Sequence, residues 1–298
     1  MTADIWPVTE SFAAEVGDVD LSQPLSDADW QAIDEAYRSH SVLVFPDQKI
    51  GQEQHVEFAR RFGPIDMSMI ADMDEKVIRV PIEIADVSNL DVEGRILPDG
   101  HRLREFQLGN RLWHTDSSFK KVPANASLLY MQTIPPVGGQ TEFADMRAAY
   151  DALPGAMKRR IEGRVAIHSI AYSRAKLGFQ MSDAENEVLP KVPQALVRTH
   201  KHSGRKSLYV ASHAGEIVGM PDDEARTLLE ELMIHAVQRQ FVYAHRWRAN
   251  DLVVWDNRCT MHRGLAFDDL RWPRDAQRAT ALDVAPTCEQ EGIAVAAE

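Results

Sequence analysis

The most informative short run in this sequence is Trp113-His-Thr-Asp116. In an extended strand, residues i and i+2 project to the same side. His114 and Asp116 would then reach one ion together while Thr115 points away. One imidazole and one carboxylate fill only part of a coordination sphere. A second histidine would complete a two-histidine, one-carboxylate facial triad, a set that suits Fe(II) and leaves three positions open: two for a bidentate co-substrate and one for O2. His-x-Asp alone is weak, and with eleven histidines in the chain a third ligand is easy to nominate. His262 is the best nominee. Residues 251–255 read as a buried strand, Asp256-Asn257 as a turn, and 258–262 as the entry to a second strand, so sheet structure would position its ring. His200, His202 and His213, near another expected hairpin, compete with it, and His245 competes more weakly. A catalytic zinc site uses the same ligand types, and spacing does not separate the two metals.

Anion-binding groups would bear on that choice. Arg274 and Arg278 follow His262 in a stretch that reads RWPRDAQRATALD. If it is a strand, both side chains share a face. Guanidinium groups bind carboxylates bidentately and keep their charge, so two of them near a metal would suit two anions. From charge alone, a pair of surface arginines in a polar segment is the favoured reading.

The elements that must position these residues follow from pattern. Ser26-Asp-Ala-Asp29 opens a helix to about residue 40. The apolar run 42–45 reads as a buried strand ended by Pro46-Asp47. A second helix is expected over 52–61, stopped by Gly63-Pro64. Strand character occurs around 77–90, 110–119, 127–134, 166–171, 196–199, 207–211, 241–247, 252–255 and 278–284. Short strands separated by turns such as Ser203-Gly204 suggest an all-β sandwich or barrel core. A late helix starts at Pro221, with acidic residues 222–224 at the positive end of its dipole. Ala225, Leu228, Leu229, Leu232, Met233, Ala236 and Val237 then recur at helical spacing and read as core packing. Residues 173–192 are long and weakly periodic; a lid or mobile insertion and an ordinary surface loop fit them equally.

Bulk properties set the class. At 298 residues with 44% hydrophobic and 26% charged, without repeats or linkers, the chain reads as one globular domain over 1–298. No stretch approaches the roughly 20 apolar residues of a membrane span, and the N-terminus has no secretory pattern. Two cysteines, Cys259 and Cys288, point to a reducing compartment, the cytoplasm. A net charge of −12 argues against nucleic acid as partner.

Five ordered motifs then carry a resemblance: His114-Thr-Asp116, GGQTEF at 138–143, DMRAAYDALP at 145–154, WDNRCTMHRG at 255–264 and RATALD at 278–283. Together, over about residues 12–284, the chain resembles the taurine dioxygenase family of Fe(II)/2-oxoglutarate-dependent dioxygenases, and within it the branch acting on 2,4-dichlorophenoxyacetate and other aryloxyalkanoates. The resemblance implies a mainly β fold with flanking helices, the double-stranded β-helix or jelly roll. It implies iron on His114, Asp116 and His262, the distal carboxylate of 2-oxoglutarate on Thr141 and Arg274, and the acidic group of the primary substrate on Arg278. The reaction implied is hydroxylation of a small anionic organic substrate by O2, with 2-oxoglutarate converted to succinate and CO2 and ascorbate stimulating turnover. An aryloxyacetate hydroxylated beside its ether oxygen collapses to a phenol and glyoxylate. A homo-oligomer is implied as well. Gly138 and Gly139 would permit a tight approach to Thr141, or simply make a turn after two prolines.

The chain departs from the family at one place. The phenoxyacetate enzyme carries a lysine in the loop after Phe-Gly-Pro that helps bind the herbicide carboxylate. The matching position in this loop, 67–74, is Ala71, and the nearest lysine is Lys76. That loss points to a different aryloxyalkanoate, another small acid, or a sulfonate or sulfate ester. Met67, Met69 and Met73 would line the rim with soft apolar surface or simply pack the core.

Overall fold

A computed structural model describes residues 2–10, 12–68 and 79–295. In chain order the elements are β1 Asp4–Pro7, β2 Ala13–Gly17, α1 Asp27–His40, β3 Val42–Phe45, α2 Gln52–Arg60, β4 Ile84–Asp86, α3 Arg102–Gln107, β5 Ala124–Thr133 and β6 Thr141–Asp145. Next come α4 Met146–Asp151, α5 Gly155–Ile161, β7 Val165–His168, α6 Ile170–Ala175, α7 Asp183–Val188, β8 Val192–Ala195, β9 Val197–Thr199, β10 Lys206–Leu208 and β11 Ala214–Ile217. The chain ends with α8 Asp222–Ala236, β12 Val242–His245, β13 Leu252–Asp256, β14 Thr260–Gly264, β15 Asp275–Leu282 and α9 Thr287–Gln290. The protein is thus mostly β with flanking helices. No helix among the described residues is long and apolar enough to cross a membrane.

The largest sheet has the order β1-β2-β3-β13-β5-β15-β4, and a three-stranded sheet has the order β12-β6-β14. Period-2 alternation sorts the large sheet's side chains into two layers. Leu43, Phe45, Leu128, Tyr130, Leu252, Val254, Ala279 and Ala281 pack with Ile33, Tyr37 and Phe58 of α1 and α2. Val42, Val44, Leu129, Met131, Val253, Trp255 and Ala276 face the other way and pack on Phe143 of β6. The second layer is the inside of a sandwich between the two sheets. A third cluster, on the far side of β6 and β14, joins Ala144 and Met261 to α4, α8 and β7.

The capping and periodicity expectations hold. The Ser26 side chain accepts from the Asp29 amide at 3.1 Å, and α1 stops at Ser41, whose φ of 68° reverses the chain. The stripe on α8 is buried at Ala225, Leu228, Leu229, Leu232 and Ala236. The expected strand over 110–119 is not formed. Residues Leu108–Arg111 make a 3-10 turn, and His114 joins only an isolated bridge to His262. The segment from 166 to 171 leaves the sheet at His168 and turns into α6. Of the 77–90 expectation, Ile84–Asp86 is strand, and 77–78 lie outside the described residues. Residues 173–192 are not one loop: they carry the end of α6, all of α7 and the start of β8.

Candidate metal centre

The face that packs the sandwich also carries polar groups. On β14, His262 pairs with Phe143 of β6 and shares its inward face. On β15, Arg278 pairs with Leu129 of β5, so it projects inward with Ala276 while Ala279 projects to the helices. His114 is held beside His262 by reciprocal backbone bonds of 3.0 and 2.7 Å. Ligand atoms of His114, Asp116 and His262 all lie within 4.8 Å of one another, and all three residues are buried. The nearest approaches are 3.7 Å from His114 Nε2 to Asp116 Oδ1 and 3.8 Å from His262 Nε2 to Asp116 Oδ2.

Strand alternation is not what aligns His114 with Asp116. Asn257, at the β13–β14 turn, does it: its Oδ1 accepts from the Asp116 amide at 3.0 Å and from Trp255 Nε1 at 3.0 Å, and its carbonyl accepts from Thr115 Oγ1 at 2.8 Å. Asn257 Nδ2 donates to Ser127 Oγ at 2.9 Å, which donates to Asp116 Oδ2 at 2.7 Å. Arg278 Nη1 donates to the other oxygen, Oδ1, at 2.6 Å. Both oxygens of Asp116 are therefore oriented.

The protonation states suit a cation. Burial would push the Asp116 carboxyl up, but Arg278 and the two imidazoles outweigh it and hold it down at about 2. Burial lowers both His114 and His262, so both rings are neutral near pH 7. His114 Nδ1 lies 2.7 Å from the Leu112 carbonyl, which only accepts; Nδ1 carries the proton and Nε2 offers its lone pair inward. The residues fit a divalent metal bound by two nitrogens and one carboxylate.

The histidines that competed for the third position are engaged elsewhere. His245 hydrogen-bonds Asp251 at 3.0 Å, His202 lies 3.8 Å from Glu35, and His213 hydrogen-bonds Ser118 at 3.0 Å. His200 forms a second cluster with Asp256 and Cys259. That cluster is poorly suited to a metal. Arg258 occupies both Asp256 oxygens at 2.8 and 2.7 Å, and burial pushes the Cys259 thiol up to about 12.

Two adjoining cavities of about 110 and 100 Å³ open on the cluster, and His114 and Arg278 border both. The first is also lined by His262, Thr141 and Arg274. Thr141 begins β6, and its hydroxyl accepts from Trp247 Nε1 at 3.0 Å, leaving its own proton to donate. The approach to it is tight: at Gly138, with φ of 82°, a Cβ would lie 2.5 Å from the Ala266 carbonyl oxygen. Arg274 precedes β15 and its first bulge, and is held by Asn89 Oδ1 on its amide at 2.8 Å and by the Val87 carbonyl on Nη1 at 3.2 Å. It is 9% exposed, and among the described residues no carboxylate pairs with it. Burial lowers it to about 10, so it stays charged at neutral pH. All six residues nominated from sequence thus gather at one place. Ala71, Met69, Met73 and Lys76 lie outside the described residues, and Met67 is exposed. Ser127, Asn257, Trp255, Trp247 and Asn89 were not singled out. Asn257 and Trp255 sit inside a quoted motif, but nothing in local spacing marks the others.

A buried cluster of two imidazoles and a carboxylate, opening onto cavities that hold arginines, is the arrangement of a mononuclear metalloenzyme. The chain belongs to the family described as "Taurine catabolism dioxygenase TauD, TfdA family", which matches residues 4–280. It is 43% identical over 279 residues to the alpha-ketoglutarate-dependent 2,4-dichlorophenoxyacetate dioxygenase of Cupriavidus pinatubonensis, covering 93% of this chain and 96% of that one. It is 38% identical over 274 residues to the (S)-phenoxypropionate/alpha-ketoglutarate-dioxygenase of Sphingobium herbicidovorans, covering 89% and 90%. The crystal structure of AAD-2 in complex with Mn(II) and N-oxalylglycine matches with a TM-score of 0.88 at 45% identity, covering 96% of this chain and 99% of that one. The family resemblance read from the five motifs is borne out.

Proposed function

We propose that the protein is an Fe(II)- and 2-oxoglutarate-dependent dioxygenase that hydroxylates a small aryloxyalkanoate, releasing a phenol and an oxoacid. One observation carries the reading: the His114, Asp116 and His262 ligand atoms converge beside a cavity lined by buried Arg274, which has no carboxylate partner among the described residues. In this reading His114 Nε2, His262 Nε2 and Asp116 hold Fe(II). Arg274 and the Thr141 hydroxyl take the distal carboxylate of 2-oxoglutarate, and Arg278 takes the acidic end of the primary substrate. Bound iron with 2-oxoglutarate supplies the oxidant, O2 being reduced while 2-oxoglutarate loses CO2 and becomes succinate.

The chain's own residues supply position and exclusion. Ser127 and Arg278 fix the two oxygens of Asp116. The Leu112 carbonyl keeps His114 in the tautomer that a metal needs. Leu129 and Trp255 wall the first cavity with apolar surface. An aryloxyacetate held with its methylene toward the metal gains a hydroxyl there, and the hemiacetal breaks its C–O bond to give the phenol and glyoxylate.

The same reading takes the whole chain as one jelly-roll domain, the sandwich around Phe143 and Trp255 being its two faces. Residues 173–192 act as its lid, clasped to α3 by the ion pair from Arg102 Nη2 to Glu185 at 2.6 Å. Cys259 and Cys288, both buried and unpaired, fit a reducing cytoplasm. A homo-oligomer follows the family pattern; sedimentation giving a monomer at working concentration would remove it.

The deciding experiment assays succinate and phenol together. Metal-free protein receives Fe(II), ascorbate, 2-oxoglutarate and phenoxyacetate or 2-phenoxypropionate, with taurine and an alkyl sulfate in parallel. Equal succinate and phenol that require both Fe(II) and O2 are expected. Coupled turnover only with taurine or the sulfate would move the substrate class, and hydrolysis by zinc-loaded protein without O2 would overturn the chemistry.

A further inference from the structure

Among the described residues that line the second cavity, one cation is paired with none of the acids. Its described lining includes three carboxylates, Asp66, Asp86 and Asp116. Each already has a cation: Lys120 Nζ on Asp66 at 2.7 Å, Arg79 Nε on Asp86 at 2.7 Å, and Arg278 Nη1 on Asp116 at 2.6 Å. Arg174, on α6, lines the same cavity and is 5% exposed. Among the described residues no carboxylate pairs with it. Among those residues its guanidinium makes one hydrogen bond, from Nη1 to the neighbouring Ser173 Oγ at 3.4 Å, and its buried Nε has no partner. Burial and the nearby Arg278 lower it to about 10, which leaves it cationic at neutral pH, and no acid acts in the other direction.

The guanidinium is also fixed in place. Its carbon lies 4.5 Å from the centre of the Phe106 ring, and a Cβ added at Gly109 would sit 2.0 Å from Nη1. It is therefore packed between an aromatic ring and a residue that must lack a side chain. A buried, pre-positioned and unpaired arginine meets its electrostatic need when an anion arrives. Arg274 has the same character in the first cavity, so each cavity holds one such arginine. Around Arg174 the walls are apolar at Leu103, Phe106, Phe119 and Ile170, which suits an aromatic body attached to the anion.

We propose that Arg174 grips the anionic end of the primary substrate and is the principal determinant of its charge. The proposal rests on the oxygenase reading and assigns it a residue. Arg278, already engaged by Asp116, then divides its hydrogen bonds between the metal ligand and the substrate.

The test measures phenoxyacetate KM and kcat, and the inhibition constant of the uncharged phenoxyacetamide, with Fe(II) and saturating 2-oxoglutarate. Arg174→Gln should raise the phenoxyacetate KM on the order of 30-fold, as expected for a charge-assisted pair in a dry site, with kcat changed far less. Arg174→Lys should fall between. The amide's inhibition constant should barely move, because a packing role would disturb both ligands alike. Gly109→Ala provides an independent route: the added methyl displaces the guanidinium without removing it and should reproduce the KM rise, even where the Gln variant fails to fold. Equal changes for acid and amide, or none for either, would overturn the assignment. Wild-type protein forming no succinate with aryl carboxylate or alkyl sulfate would instead overturn the oxygenase reading, and this proposal with it.

Discussion

Replacing Asn257 by alanine tests the idea that a residue with no metal contact builds the centre. Asn257 joins four groups to one another: the Asp116 amide, Trp255 Nε1 and, through Nδ2, Ser127 Oγ, with Thr115 Oγ1 a further 3.3 Å from Oδ1. All these groups are buried. In Asn257→Ala the amide N–H of Asp116 and the indole N–H lose their acceptor, and leaving a buried donor unmet costs about 1–3 kcal/mol each. Ser127 also loses the donor that aims its own proton at Asp116 Oδ2. Part of the loss appears as global stability, and part as freedom of the 114–116 segment, which no sheet ladder holds. Outer-shell removals of this kind weaken metal binding by about 10- to 100-fold. The assay is competition for Co(II) or Fe(II) against a chromophoric chelator, with denaturant unfolding of the metal-free protein alongside. Asn257→Asp keeps the shape but exchanges the Nδ2–H donor for a second acceptor and adds charge beside Asp116, so it should fare no better than alanine. If Asn257→Ala unfolds more easily yet binds metal within about twofold of wild type, the residue is only structural and the positioning argument fails.

Three further outcomes are expected. Arg274→Leu removes the unpaired cation of the first cavity and should raise the 2-oxoglutarate KM by about 100-fold, or some 3 kcal/mol, where the same change at the exposed Arg226 does nothing; comparable effects would dismiss Arg274 as the anchor. Metal-free protein should lose stability as pH falls from 7 to 5. His55 is lowered to about 4 and His168 to about 3 by burial, both from an ordinary value of 6.5, so the unfolded chain takes up protons that the fold refuses. The stability they provide is complete above 6.5 and declines below it, by about 2 kcal/mol for each at pH 5; an unfolding midpoint that is flat or higher at pH 5 would contradict this. Arg102→Ala breaks the clasp on Glu185, a partly exposed pair worth up to about 1 kcal/mol, and should speed tryptic cleavage near Lys176 and Lys191 by about fivefold; unchanged cleavage would separate 173–192 from any lid motion.

The sequence was legible wherever one periodicity dominates. Residues 42–45 and 252–255 are buried on both faces, the α8 stripe is buried at helical spacing, and Ser26 caps α1 as its type requires. It was misleading at 110–119. There, alternating residue types imitate a strand, but the backbone is held by Asn257, some 140 residues further along, and by a single bridge to His262. His114 and Asp116 do come together, but not through the strand alternation expected of them. Thr141, Arg274 and Arg278 carried no local mark strong enough to outweigh a surface reading, and only the ordered motifs brought them in. Arg174 was hidden because its burial depends on Phe106 and Gly109, and it lies in a stretch whose weak periodicity suggested a loop.

That last residue changes how the departure at Ala71 is weighed. From sequence, alanine in place of a lysine removes one of two cations and weakens the case for a carboxylate substrate. Position 71 lies outside the described residues, and the described charges of the cavity bear on the same question. Lys120 and Arg278 are each committed to an aspartate, Arg79 is shared between Asp86 and Asp275, and among the described residues Arg174 has no carboxylate partner in that cavity. A monoanion with an apolar body suits that unpaired guanidinium and the walls at Leu103, Phe106 and Ile170. If Arg174 takes the anion, a preference for an aryloxy acid does not require a lysine at position 71.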